Sequence, residues 1–208
     1  MNAELVAALL PFFAACIAVE LTPGPNMAYL ALLGANRGRF AGFFAVAGVA
    51  LGLLTIGLLA ASGVSAVVES NRYVWEALRW AGVAYLLWLA YDTWLESQLP
   101  ADDPDLDLPL LVFFRRGLVT NLLNPKAAIF YVTVMPNFTQ AGTPLWPQMA
   151  ILTLVYVSAA TLVHSGIVVV AASLTAAFAR DHWRRTLGIV FALLLVAVAG
   201  WLAVNTAR

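Results

Sequence analysis

Apolar residues run along this chain in six long blocks, at roughly 5–32, 40–63, 73–94, 113–135, 146–176 and 186–204. A helix that crosses a bilayer needs about 20 mostly apolar residues, because each residue rises 1.5 Å through a hydrocarbon core about 30 Å thick. Residues 40–68, between Arg39 and Glu69, carry no charge, and neither do residues 186–207. The stretch 127–179 contains His164 and no Asp, Glu, Lys or Arg, but is too long for one crossing. The turn-rich run from Pro136 through Asn137, Gly142 and Pro144 divides it. The third block contains Arg79 and Asp92 and the fourth contains Lys126, so these two are less purely apolar. A soluble six-helix bundle does not fit, since the second, fifth and sixth blocks have no polar face to turn to water. The predicted fold class is an all-α integral membrane protein with six transmembrane helices. Glu4 stands where a signal peptide would be basic, and no small-residue cleavage context precedes a polar domain. The first block is therefore expected to stay as a span.

Composition sharpens this picture. The chain is 62% apolar and 11% charged, against about 25% charged in soluble domains, and its mean hydropathy is +0.88. Eleven basic and eleven acidic residues cancel, which gives no reason to expect a nucleic-acid partner. The single cysteine, Cys16, excludes an intramolecular disulfide and reads as a small apolar filler. His164 and His182 have no metal-ligand spacing, and no phosphate-binding GxxxxGK[ST] loop or Ser-His-Asp group is visible. No enzyme chemistry, cofactor or metal is expected.

Charge also orients the chain. Arg37, Arg39, Arg115, Arg116, Arg180, Arg184 and Arg185 fall in one set of connections, and only Arg72 and Arg79 in the other. Basic loops face the cytoplasm, so both termini are expected outside it. The 95–112 connection, with Asp102, Asp103, Asp105 and Asp107, reads as a flexible cytoplasmic linker.

The chain forms one transporter domain, 1–208, that divides into pseudo-repeats of about 1–105 and 106–208. Three spans per half force the halves into opposite orientations, the arrangement of inverted-repeat transporters. Block one carries Thr22-Pro23-Gly24-Pro25-Asn26, and block four carries Asn121-Leu122-Leu123-Asn124-Pro125-Lys126 at comparable depth. Proline lacks an amide hydrogen and clashes with the carbonyl four residues back. The freed carbonyls cost several kcal/mol in hydrocarbon unless protein or water satisfies them. Asn26, Asn121 and Asn124 can donate and accept there. Each break alone could be an ordinary kink; the pair points to a site where the halves meet.

Glu20 lies inside an apolar span, where a carboxylate needs a cavity or a partner. It could carry a proton, hold a substrate ammonium or pair with Lys126. Lys126 could hold a substrate carboxylate or extend to the cytoplasmic surface. Tyr131 lies one to two turns past the second break, and its hydroxyl either reaches a cavity or is satisfied by packing. His164 is either a core residue or a proton relay. Asp92 and Arg79 lie near opposite ends of the third span. Gly34, Gly38, Gly42, Gly48 and Gly52 have the spacing of close helix packing, within one chain or in a homodimer. The tryptophans read as interfacial anchors, with Trp88 as a packing residue.

At these motifs the sequence resembles the LysE/RhtB superfamily of amino-acid exporters. The resemblance rests on Thr22-Pro23-Gly24-Pro25-Asn26, on Gly82-Val83-Ala84-Tyr85-Leu86, and on the run from Gly117 through Asn121, Asn124, Pro125, Lys126 and Ala127, continuing to Pro136-Asn137-Phe138. It implies efflux of an amino acid or similar small zwitterion across the bacterial inner membrane in exchange for protons. It also places Pro23, Gly24, Pro25, Asn26, Asn121, Asn124, Pro125 and Lys126 on the transport path. Ala90, where many members have glycine, and the acidic 95–112 loop depart from the family pattern. The alternatives are a transporter of cations or other small solutes, with several carboxylates along one path, and a membrane assembly protein that leaves Glu20 paired and the breaks dry.

Overall fold

The structure, a computed structural model, describes residues 3–22, 24–62, 71–98, 108–140, 142–175 and 181–205. Pro23, the acidic residues 102–107 and Arg180 lie outside the described residues. The described chain is all helical: α1 (Ala3–Glu20), α2 (Pro25–Ala61), α3 (Arg72–Gln98), α4 (Leu110–Leu122), α5 (Pro125–Ile129), α6 (Leu145–Thr175) and α7 (Asp181–Asn205). A π-helical turn, Phe130–Val134, and a 3₁₀ turn, Met135–Phe138, extend α5. By length and composition, α2 and α6 can each cross a membrane. The segments Leu110–Leu122 and Lys126–Phe138, bent by 52° across their break, make a third crossing if taken as one.

Both proline motifs break their helices. α1 ends at Glu20, where Thr22 Oγ1 and the Thr22 amide both donate to the Val19 carbonyl. α2 begins on Pro25, whose missing N–H is one that a first turn leaves unpaired in any case. In the second break, the Asn124 amide donates to the Asn121 carbonyl and Pro125 opens α5.

The connection between the first two predicted spans is not a loop. α2 runs through it, and one residue, Gly38, departs from helical geometry at φ 77° and ψ −178°. Only glycine enters that region readily, so the turn needs no further residues.

α2 packs most extensively on α6 and α4, α3 pairs with α7, and α1 lies on α6. The glycines set the closest of these approaches. A Cβ on Gly48 would strike the Phe114 carbonyl oxygen, and one on Gly117 would strike that of Ala45. Both obstacles are backbone, so α2 and α4 would have to separate. Gly117→Ala is expected to cost about 1–3 kcal/mol, read as a lower unfolding temperature in detergent. Gly200→Ala, with open space around it, serves as the neutral comparison. Gly34, Gly42 and Gly52 also pack within the chain, against Val168 and Asn121, so close packing inside one protomer accounts for their spacing.

Two tryptophans differ from expectation. Trp75 is buried, at 7% exposure, because its face of α3 turns toward the second break. Trp88 is half exposed and lies under the Arg116 guanidinium, 5.5 Å from its ring centre. Arg116 also binds Asp92 at 2.8 Å, so Asp92 is held in an ion pair between α3 and α4.

Candidate functional site

Folding brings the two breaks into contact. Asn26 Nδ2 donates to Asn121 Oδ1 at 2.8 Å across 95 residues of sequence. Lys126 Nζ donates to the Thr22 carbonyl at 3.0 Å. That carbonyl belongs to the strand of backbone that the Pro-Gly-Pro motif removes from the helix. The lysine thus satisfies an acceptor the interruption leaves open. Gly24 lies beside the lysine chain; a Cβ there would stand 3.5 Å from Lys126 Cδ. A larger side chain would compete for the lysine's place.

Lys126 turns toward the first break. Its side chain is 20% exposed, and Nζ lies 3.9 Å from Glu20 Oε2. Glu20 is buried at the last residue of α1. Tyr156 donates its hydroxyl to Glu20 Oε1 at 2.6 Å, and His164 Nε2 lies 3.0 Å from Oε2. Tyr156 and His164 are eight residues apart on α6, about two turns, and so share the face that α1 covers. The carboxylate therefore has three partners from α5 and α6. Such pairing is what lets ionisable groups persist away from water.

The asparagines divide their work. Asn124 Oδ1 accepts from the Lys126 amide at 3.0 Å and caps α5. This cap fixes the start of the helix that carries Lys126. Asn26 and Asn121 are buried, and their single mutual bond leaves Asn26 Oδ1 and Asn121 Nδ2 without partners among the described residues. One orphan acceptor and one orphan donor therefore sit between the breaks. Buried orphans of this kind cost about 1–3 kcal/mol each. They can be relieved by a ligand offering both an ammonium and a carboxylate.

Tyr131 is satisfied by packing. Its hydroxyl donates to the Leu53 carbonyl at 2.8 Å, tying the π-helical turn to α2. Its ring joins Phe12, Phe130, Phe138 and Tyr156 in an aromatic cluster, in which Phe130 and Tyr156 stack at 4.1 Å. This cluster backs the carboxylate site on its apolar side. Pro25 and Pro125 stand at the first positions of α2 and α5.

The sequence reading missed Tyr156 altogether, and it left His164 unassigned. A signal was present: Glu20 and His164 are both isolated within apolar helices, and isolated ionisable groups in a membrane need one another. Tyr156, two turns before His164, falls on the same face.

The LysE type translocator family model matches residues 17–206. A membrane protein of Vibrio cholerae serotype O1, described as uncharacterized, is 27% identical over 79% of this chain and 81% of its own length. The Escherichia coli (strain K12) membrane protein YahN is 31% identical over 61% of this chain and 58% of its own. A leucine efflux protein of Klebsiella pneumoniae is 31% identical over 65% of this chain and 66% of its own. The aligned region thus spans less than two thirds of the latter two relatives. No solved structure matches the chain. With the family model extending from the end of α1 through α7 and across both breaks, the chain belongs to the LysE type translocator family.

Proposed function

We propose that this chain is a secondary exporter of amino acids or close derivatives, working by alternating access at the bacterial inner membrane. Membership in a translocator family sets it among transport proteins rather than enzymes. The observation that carries the reading is the contact of the two interrupted helices through Asn26–Asn121 and Lys126–Thr22. Half-helix ends expose oriented backbone dipoles that bind a zwitterion with few formal charges. Lys126 would take the substrate carboxylate. Glu20 would take the ammonium or the coupling proton, with His164 as its relay. Asn26 and Asn121 would use their orphan groups to orient the ligand.

Six spans in two inverted repeats fit the packing. α1 lies on α6 and α4 lies on α2, while α2 meets α6 and α3 meets α7. If α4 with α5 is the counterpart of α1 and its continuation, a two-fold relation exchanges the α1–α6 and α4–α2 pairs and maps the α2–α6 and α3–α7 pairs onto themselves. The termini would then share one face, outside the cytoplasm by the arginine bias.

The assembly-protein alternative also allows a paired Glu20. The family assignment and the unpartnered amide atoms favour transport. The test is counterflow in proteoliposomes with a panel of labelled amino acids under an imposed pH gradient. At least one amino acid is expected to exchange, with the gradient driving its accumulation. Failure of every amino acid in the panel would overturn the exporter reading.

A further inference from the structure

Helix α3 carries a motif that the two breaks leave unexplained, Gly82-Val83-Ala84-Tyr85-Leu86. α3 packs along α7 and meets α4 at few points, whereas α4 packs extensively on α2. The seam between α3 and α4 is therefore where two bodies meet, α3 with α7 on one side and α4 with α2 and α6 on the other.

At the end of the seam next to the 95–112 connection, one face of α3 grips Arg116 of α4. Asp92 Oδ2 pairs with Arg116 Nη2 at 2.8 Å, the guanidinium lies 5.5 Å from the Trp88 ring centre, and the Tyr85 hydroxyl donates to the Arg116 carbonyl at 3.2 Å. Tyr85, Trp88 and Asp92 follow one another at spacings of three and four, so they share that face. Midway along, a Cβ on Gly82 would stand 2.9 Å from the Leu123 carbonyl oxygen, so here the backbones of α3 and the second break touch. Past this point the seam parts. Trp75, Leu78 and Arg79 face Leu122, Asn124 and Ala128 across a pocket of about 40 Å³.

A clasp, a backbone contact and a gap, in that order along one seam, have the layout of a lever. A rigid helix that turns about Gly82 opens the clasp as it closes the gap. The ion pair is largely buried, with side chains 15% and 25% exposed, and in such surroundings opposite charges hold each other more strongly than in water. We propose that α3 and α7 rock together on Gly82, and that the Asp92–Arg116 clasp is the latch that holds the seam shut at the end the arginine bias puts at the cytoplasm. The rocking is the conformational step of the exporter reading above, on which it rests. Release of the latch opens the cytoplasmic side of the second break and presses Trp75 and Leu78 toward Asn124, which caps the helix that carries Lys126.

The test uses the full-length chain with Cys16→Ala and nitroxide labels on pairs of introduced cysteines, read as distances by pulsed electron paramagnetic resonance in proteoliposomes. Trp94→Cys with Leu111→Cys reports the clasp end, and Tyr73→Cys with Ile129→Cys the gap end; all four positions are exposed. Asp92→Asn with Arg116→Gln removes the latch without stranding a charge. In that background the clasp-end distance is expected to lengthen and the gap-end distance to shorten. Trp94 lies twelve residues, about 18 Å, from Gly82 and Tyr73 nine residues, about 14 Å, so the second shift should be about three quarters of the first. Unchanged distances would overturn the latch. So would lengthening at both ends, which is what simple loosening of the seam produces. In a second arm, Asp92→Cys and Arg116→Cys are bridged by a short bis-methanethiosulfonate, and counterflow is followed with labelled L-leucine and any other amino acid the panel identifies. Bridging is expected to stop counterflow and dithiothreitol to restore it; a bridged protein that transports at the unbridged rate would overturn the rocking step and leave the exporter reading intact. A wild type that moves no amino acid would instead count against the exporter reading, and the paired distances would still decide the rocking.

Discussion

Glu20→Gln is expected to abolish the response of transport to a pH gradient while leaving exchange measurable. The glutamine keeps an oxygen for the Tyr156 hydroxyl, now 2.6 Å from Glu20 Oε1, so the α1–α6 contact survives. It cannot take up or release a proton. One proton exchanged per substrate supplies about tenfold accumulation per pH unit, since 1.4 kcal/mol is a factor of ten. Wild-type vesicles should approach that limit, and Glu20→Gln vesicles should accumulate the same amount with and without the gradient. Counterflow, which needs no net proton movement, separates lost coupling from lost folding. A full gradient response in Glu20→Gln would remove Glu20 from the coupling role. His164→Gln, tested alongside, asks whether the imidazole 3.0 Å away carries the proton instead.

Lys126→Met is expected to produce the largest loss of transport. The lysine is the one charged donor at the contact of the two breaks among the described residues, bonded to the Thr22 carbonyl at 3.0 Å. Losing a hydrogen bond made by a charged group typically costs about 1.5–3 kcal/mol, or between about tenfold and about 150-fold in affinity. The specific readout is discrimination. Wild-type protein should prefer leucine strongly over leucinamide, which lacks the carboxylate, and Lys126→Met should bind the two almost equally. The substitution also strands Glu20 and reopens the Thr22 carbonyl. The double variant Glu20→Gln, Lys126→Met controls for this: it should regain thermal stability relative to Lys126→Met without regaining transport. Retained preference for leucine in Lys126→Met would assign carboxylate binding elsewhere.

These two residues show how far local chemistry reaches. That Glu20 needed a partner followed from its place in an apolar span, because an ion in hydrocarbon is unstable alone. Which partner it found did not follow. Lys126 was one of three readings for it, and the structure adds His164 and Tyr156 from α6, the latter 136 residues away. Asn124 illustrates the reverse. Asparagine before proline at a helix start is a local cap, and its side chain closes on the Lys126 amide as a cap does.

The sequence by itself determined the helical, membrane-embedded character of the chain and the two points where helices stop. Both are local matters: apolar length sets the first, and proline's missing N–H sets the second. Tertiary structure alone decided that the breaks touch, that Lys126 turns inward and that Gly38 bends α2 without a loop. Each of these depends on which distant group lies opposite after the helices pack, and in an apolar medium the polar groups brought together that way have no solvent to satisfy them instead.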